Sequence, residues 1–466
     1  MDYSKLGYKP AELVRDHPSS QVISLRTKRH MQKSYLPLLE ELTTKAIAPY
    51  DIAERIQEFA VEHGCVAQDE RTLRPVNGSS IAVIERDHNA FCLIHPGDKG
   101  YDFSKGINIL VAHTDTPNLR VRVQPTWFES HTEKKFSFHG PYLEIAPNGG
   151  IQASDWVGKN GFLHGRAYMK NEEHRVTRLP ARIPHSSIHL EIDSEEENTF
   201  DRVRIFTGAT SVAQLYSQLG IRNESDFGSA EFYFYPNTPL IMLGEEYVSA
   251  YGLDDRSLIA ATTFAFLESK PRTPTFVFGL DGEEIGSTGA SGRVNGFFSN
   301  VLSSYISQRM GFDRPLTLEE MYNKGILGTI PAICADVGPL PGYNEDDLRH
   351  VTNLETAKAG FGPFICPSWG TSEGNSVSAK QIHYIQRAFE SAVGKRYQFV
   401  GFEFKSAHAY EAVSHFAQYF TNKYVPMVAA GVAVADLHRP SGELMHVWDF
   451  LRTIQGYKGY IMQGHK

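Results

Sequence analysis

Three short apolar runs constrain this chain more than anything else in it. Each is followed at once by an acid or an imidazole: VAHTD (111–115), VFGLDGEE (277–284) and ICADVGP (333–339). The runs read as buried strands, and a core strand has no packing reason to finish by presenting charge. In an open α/β sheet, functional groups gather outside the carboxyl ends of the strands. Three such ends can therefore converge on one crevice.

The surrounding text fits that architecture. Residues Tyr35 to His63 have helical periodicity, a break at Pro49 and a stop at Gly64, and strands are expected at Ser80–Glu85, Ala90–Ile94 and Ile107–Ala112. From Leu119 to about Pro239 the texture changes to short alternating segments punctuated by glycine and proline, the signature of a β-rich module. Helical material returns with LDDRSLIAATTFAFLESK, entered through Asp254-Asp255, and the strand Thr275–Leu280 follows. The expected fold is an α/β domain interrupted by a β-rich insert: residues 1–117 and 247–466 form one domain, and residues 118–246 the insert.

Bulk properties remove several function classes. With 46 basic and 54 acidic residues the formal charge is -8, so there is no basic surplus for neutralising nucleic-acid phosphates. The most apolar late stretch, Val425 to Ala435, falls short of the ~18 residues of a membrane span and contains Pro426 and Gly431. Cys65, Cys92, Cys334 and Cys366 are scattered without a C-x-x-C pair, and the N-terminus lacks an apolar signal segment. The expectation is a cytoplasmic protein with neither nucleic-acid nor membrane partners.

Five places put metal-liking side chains at strand ends or loops: His113-x-Asp115, Asp254-Asp255, Glu283-Glu284, Asp336 and His446. Each has an ordinary alternative. His113 can be a satisfied strand-end histidine with Asp115 capping a turn. Asp254 can be a helix N-cap, Glu283-Glu284 a solvated loop, Asp336 a turn start, and His446 a surface histidine beside Trp448. Singly they are weak; in this order they form a pattern. No G-x-S-x-G nucleophile motif accompanies them.

That pattern resembles the M18 metallo-aminopeptidases, the aspartyl aminopeptidase and aminopeptidase I family, in a divergent form. The stretches that carry the resemblance are AHTDTPNLRV (112–121), RIPHSSIHL (182–190), GLDDR (252–256), DGEEIGSTGASG (281–292), AD (335–336) and MH (445–446). It implies a three-layer α/β/α zinc-exopeptidase domain with an inserted β-rich dimerisation domain, removing N-terminal residues from peptides. It also implies two Zn²⁺ ions per subunit, with Mn²⁺ or Co²⁺ as substitutes. His113 and Asp336 would hold one ion, Glu284 and His446 the other, and Asp254 would bridge them. Glu283 would be the general base, and Asp115 would orient His113. A tentative His189 would reach the active site of the neighbouring subunit, in a homo-oligomer built from dimers up to a dodecamer. The competing readings are a scaffold or cargo protein that keeps the fold, and a metal-dependent deacylase.

The chain departs from the family where substrate is recognised. After Asp336 the text runs DVGPLPGYNEDD with no histidine until His350, Cys366 stands where a lysine is usual, and the FDRDL element of the insert is replaced by WVGKNGF. The preference for acidic N-terminal residues therefore does not carry over by resemblance alone.

Overall fold

Successive side chains of the strand Asn108–His113 enter different cores. Leu110 and Ala112 join one buried cluster, Ile109 and Val111 another. This is the period-two geometry of a strand covered on both faces. The strand Thr275–Leu280 behaves the same way, with Val277 on one side and Phe276 and Phe278 on the other. The computed structural model describes residues 25–122, 140–170, 172–185, 200, 203–286, 296–341, 356–369, 378–402 and 424–463.

These strands lie in a nine-stranded sheet. At its centre run four parallel neighbours in the order Thr275–Leu280, Asn108–His113, Ala332–Cys334 and Met427–Gly431. Antiparallel pairs flank them: Phe91–His95 beside Thr275–Leu280, and Phe364–Trp369 beside Met427–Gly431. On one face pack the helices Leu25–Thr44, Pro49–Glu62, Leu253–Leu267, Ala379–Val393 and Val447–Met462, which supply Leu39, Ile56, Leu258, Phe389 and Tyr457 to the core. The other face is covered by Gly296–Met310 and Leu318–Asn323 through Phe297, Leu302, Tyr305 and Met321. The three-layer α/β/α arrangement expected from sequence is present. Pro49 does not simply interrupt a helix. It opens the second one, where its missing N–H costs nothing.

A six-stranded antiparallel sheet is built from residues between Asn118 and Pro236, in the order Glu172–Arg182, Asn160–Met169, Ala230–Pro236, Asn118–Val121, Leu143–Asn148 and Arg204–Ile205. It has its own core around Trp156, Phe227, Phe232 and Phe234. The expected β-rich segments LEIA, FLHGRAYM and FYFYP fall in these strands, whereas SSIHLEID, with His189, lies outside the described residues. A five-stranded sheet joins Ile241–Leu243, Tyr247–Ala250, Glu443–His446, Ala433–Ala435 and Gly338–Pro339 beside the carboxyl ends of the central strands. Among the described residues no helix is long and apolar enough to cross a membrane.

Candidate metal centre

The parallel core brings four strand ends to one edge, and the chain leaves each with a ligand-type side chain. His113 is the last residue of its strand, Asp336 lies just past Cys334, and Asp281–Glu284 follows Leu280. The fourth strand, Met427–Gly431, continues through Ala433–Ala435 to His438. Backbone bonds pin the ends to one another: Thr114 N donates to Leu280 O at 2.8 Å and Ala335 N to Val111 O at 2.8 Å.

Asp254 sits between two imidazoles. Its Oδ1 lies 3.1 Å from His113 Nε2 and its Oδ2 3.3 Å from His438 Nε2. Around the first ring stand Asp336 Oδ1 at 3.7 Å and Asp255 Oδ2 at 4.0 Å; beside the second stands Glu284 Oε2 at 3.4 Å. Ligand atoms of His113, Asp254, Asp255 and Asp336 lie within 4.8 Å of one another, and so do those of Asp254, Glu284 and His438. Both aspartates at the start of Leu253–Leu267 are non-helical, Asp254 at φ -81° and ψ 109°, so the expected helix entry is a kinked approach that turns Asp254 toward the rings. Gly252 before it has φ 74°, and a Cβ there would collide with the Arg256 guanidinium.

Each imidazole offers Nε2 to this space and gives Nδ1 to a backbone carbonyl: His113 to Asp115 O at 3.1 Å, His438 to Gly150 O at 2.9 Å. A ring that donates from Nδ1 keeps its Nε2 lone pair for a cation.

The structure places His446, the Asp115 carboxylate and the Glu283-Glu284 pair differently from one or another of the readings above. His446 is not among the grouped ligands. As the last residue of Glu443–His446 it pairs with Tyr247, stands edge-on to that ring at 5.1 Å, and points Nδ1 toward Asp449, 3.6 Å away. His438, eight residues earlier in number, is the histidine that faces Asp254 and Glu284. The Asp115 carboxylate does not chiefly orient His113 either. It accepts Glu283 N through Oδ1 and Glu284 N through Oδ2, each at 3.0 Å, while its approach to His113 Nδ1 is 3.5 Å. With both oxygens engaged, it fixes the 3₁₀ turn Glu283–Ile285 that presents both glutamates, and its backbone carbonyl serves the ring. Glu283-Glu284 is not a solvated loop: the two residues are 2% and 6% exposed, which takes them out of water.

Two residues to which the sequence assigns no role also take part. Asp255 Oδ2 accepts His113 N at 3.0 Å. Glu443, buried, accepts Asp254 N through Oε2 at 3.0 Å and His438 N through Oε1 at 2.9 Å, tying the two ligand-bearing segments together.

The donor set fits divalent cations. Glu283 Oε1, Glu284 Oε1 and Asp336 Oδ2 are buried and accept no hydrogen bond among the described residues. Bare carboxylate oxygens in such a place are costly unless something positive joins them. Carboxylates with imidazoles are the ligand chemistry of Zn²⁺, and also of Mn²⁺ or Co²⁺.

The electrostatics agree. Burial, opposed by His113 but reinforced by Asp336, Asp115 and Asp254, pushes the Glu283 carboxyl up to about 8. Burial likewise raises Glu284, Asp255 and Asp336. Asp254 goes the other way: burial would raise it, but hydrogen bonds from His113 and His438 hold it well below the usual carboxylate range. Burial disfavours a charged His113 ring, yet Asp255, Asp115, Asp254 and Asp336 outweigh it and push its pKa well above 6.5.

A pH effect follows for protein kept in chelator. Between an ordinary glutamate value of 4.5 and about 8, the folded chain binds a proton at Glu283 that the unfolded chain has released. The raised His113 adds the same sign above 6.5, so stability falls as pH rises. The thermal midpoint in chelator should drop by several degrees from pH 5 to pH 8. Added Zn²⁺ should restore more of it at the higher pH, because ligands must shed protons to bind. A midpoint that climbs across this range in chelator would contradict the buried-acid picture.

The family described as aminopeptidase I zinc metalloprotease (M18) matches residues 42–217 and 209–337. A probable M18 family aminopeptidase 1 of Thermotoga neapolitana is 22% identical over 470 residues, covering 92% of this chain and 95% of its own. A crystal structure of an M18 aminopeptidase from Thermotoga maritima superposes with a TM-score of 0.79 at 19% identity, over 95% of this chain and 98% of that one. The Saccharomyces cerevisiae mApe1 dodecamer has a protomer of similar fold, with a TM-score of 0.68 at 15% identity over 93% and 97%.

Proposed function

Because the chain belongs to the M18 family of aminopeptidase I zinc metalloproteases and is a metallo-aminopeptidase, we propose that it removes N-terminal residues from peptides at a two-zinc centre. His113, Asp254 and Asp336 would hold one ion, with Asp255 beside them; Asp254, Glu284 and His438 would hold the other. The observation that carries this reading is Asp254, whose two oxygens face one imidazole each. Two zinc ions so placed would acidify a shared water and draw charge off the scissile carbonyl.

The remaining work belongs to the chain. Glu283 takes a proton from the attacking water at its carboxylate and returns it to the departing amine. Asp115 keeps Glu283 and its neighbour in register by holding both of their backbone N–H groups. Glu443 holds Asp254 and His438 at a fixed separation. A buried glutamate with an unengaged Oε1 beside the ligand set is a feature that a scaffold protein has no use for.

We read residues 118–246 as an inserted domain that pairs subunits, with residues 1–117 and 247–466 as the two parts of the catalytic domain. His189 is the residue we assign to a neighbouring subunit's site. The dodecamer formed by a fold relative supports a homo-oligomer built from such dimers. Cys65, Cys92, Cys334 and Cys366 are buried and form no disulfide among the described residues, which suits the reducing cytoplasm.

Side-by-side assay of leucyl, alanyl, aspartyl and glutamyl chromogenic peptides, with and without chelator, tests the activity. We expect chelator-sensitive release of the first residue, without the marked acidic preference that the departures after Asp336 put in doubt. Hydrolysis of N-acetylated peptides only would overturn the aminopeptidase reading in favour of a deacylase.

A further inference from the structure

The two imidazoles of the centre are held by different parts of the molecule. His113 leans on its own loop, through Asp115 O. His438 leans on the six-stranded unit: its Nδ1 meets Gly150 O, and the next residue, Arg439, forms an ion pair with Asp155. Gly150 and Asp155 lie just after the strand Leu143–Asn148, Asp155 within the short helix Ala153–Trp156. Neighbouring Gly149, at φ 105°, packs so closely on Pro117 that a Cβ would crowd it, which seats this loop against the chain leaving Asp115.

The hold matters because His438 is in an uncommon backbone state. Its φ is 63°, in the left-handed region that few non-glycine residues occupy, and Asp436 nearby has φ 57°. Such residues persist only when their surroundings over-determine them. For His438 three partners do this: Glu443 takes its N–H, Gly150 takes its ring N–H, and Asp155 anchors Arg439.

We propose that the Gly150–Asp155 segment of the six-stranded unit sets the affinity of the second cation site, and that Arg439 and Asp155 are its positioning residues, acting through His438. This rests on the two-zinc reading above. It links docking of the six-stranded unit to occupancy of the His438 site, while the His113 ring, which leans on its own loop, does not rest on that segment.

The test is titration of chelator-stripped full-length protein with Co²⁺, following its absorption bands, and with Zn²⁺ in competition. The H438A protein, left with the His113 site, identifies which binding constant belongs to which site. R439A and D155N should each weaken the second constant about tenfold, the scale of an outer-shell ligand contact, and leave the first within about twofold. An unchanged first constant also shows that the variants are folded. The charge exchange D155R/R439D should recover most of the loss. If wild-type protein binds two ions and the single variants bind both as tightly, or if both constants fall together, this inference fails alone. If wild-type protein binds fewer than half an ion per chain, the two-zinc reading fails and this inference with it.

Discussion

Replacing Glu283 with alanine should lower kcat by about a hundredfold to ten-thousandfold, the range of a general base lost from a transition state, while the protein keeps its metal. Loss of activity without loss of metal is the signature that separates a base from a ligand. Glu283 belongs to neither group of converging ligand atoms. Its backbone N–H is fixed by Asp115, its side chain is buried, and its Oε1 accepts no hydrogen bond among the described residues. Burial with neighbouring acids makes its carboxyl a strong proton acceptor. A cation held beside it favours the charged form, so that it stands ready as a base near neutral pH. Metal content and kcat are measured on the same preparation. A metal-replete variant with activity within tenfold of wild type would remove Glu283 from the reaction.

The second large effect separates two histidines. The His438→Ala variant should retain about one ion per chain and lose about 10²–10³ in kcat, the scale seen when one group stabilising a tetrahedral oxyanion is removed. His446→Ala should keep both ions, because that ring packs on Tyr247 and points toward Asp449, whose oxygens accept Gly360 N and Gly362 N at 2.6 Å each. Its cost should appear as lower thermal stability from a buried ring removed. The opposite outcome, metal lost with His446 and kept without His438, would show that the Ala433–Glu443 segment sits differently around the site.

Much of this arrangement was legible in the sequence. Buried strands that end on charge pointed to one edge of a parallel sheet, and His113, Asp254, Glu283, Glu284 and Asp336 do meet there. The same pattern occurs a fourth time. MVAAGVAVADLH (427–438) is a fourth apolar run ending on an acid and a histidine. Its apolar character raises the question of a membrane span, and the resemblance at Met445-His446 points to a different histidine from the one grouped with Asp254 and Glu284. Other features had no sequence signature. Whether the Asp115 carboxylate or its carbonyl serves His113 depends on where Glu283 N and Glu284 N arrive from far along the chain. Glu443 looks like any polar residue at the start of a strand until Asp254 N and His438 N both point at it. Asp255 reads as a partner of Asp254 at a helix start, and only the kink turns it to His113 N. Spacing along a chain reveals candidate ligands; which atom of each faces the centre is decided by packing.

The central claim, that these segments hold a pair of cations, is tested most directly by elemental analysis of the wild-type protein purified without chelator. About two divalent ions per chain are expected, zinc foremost. Fewer than half an ion per chain after gentle handling would contradict that claim.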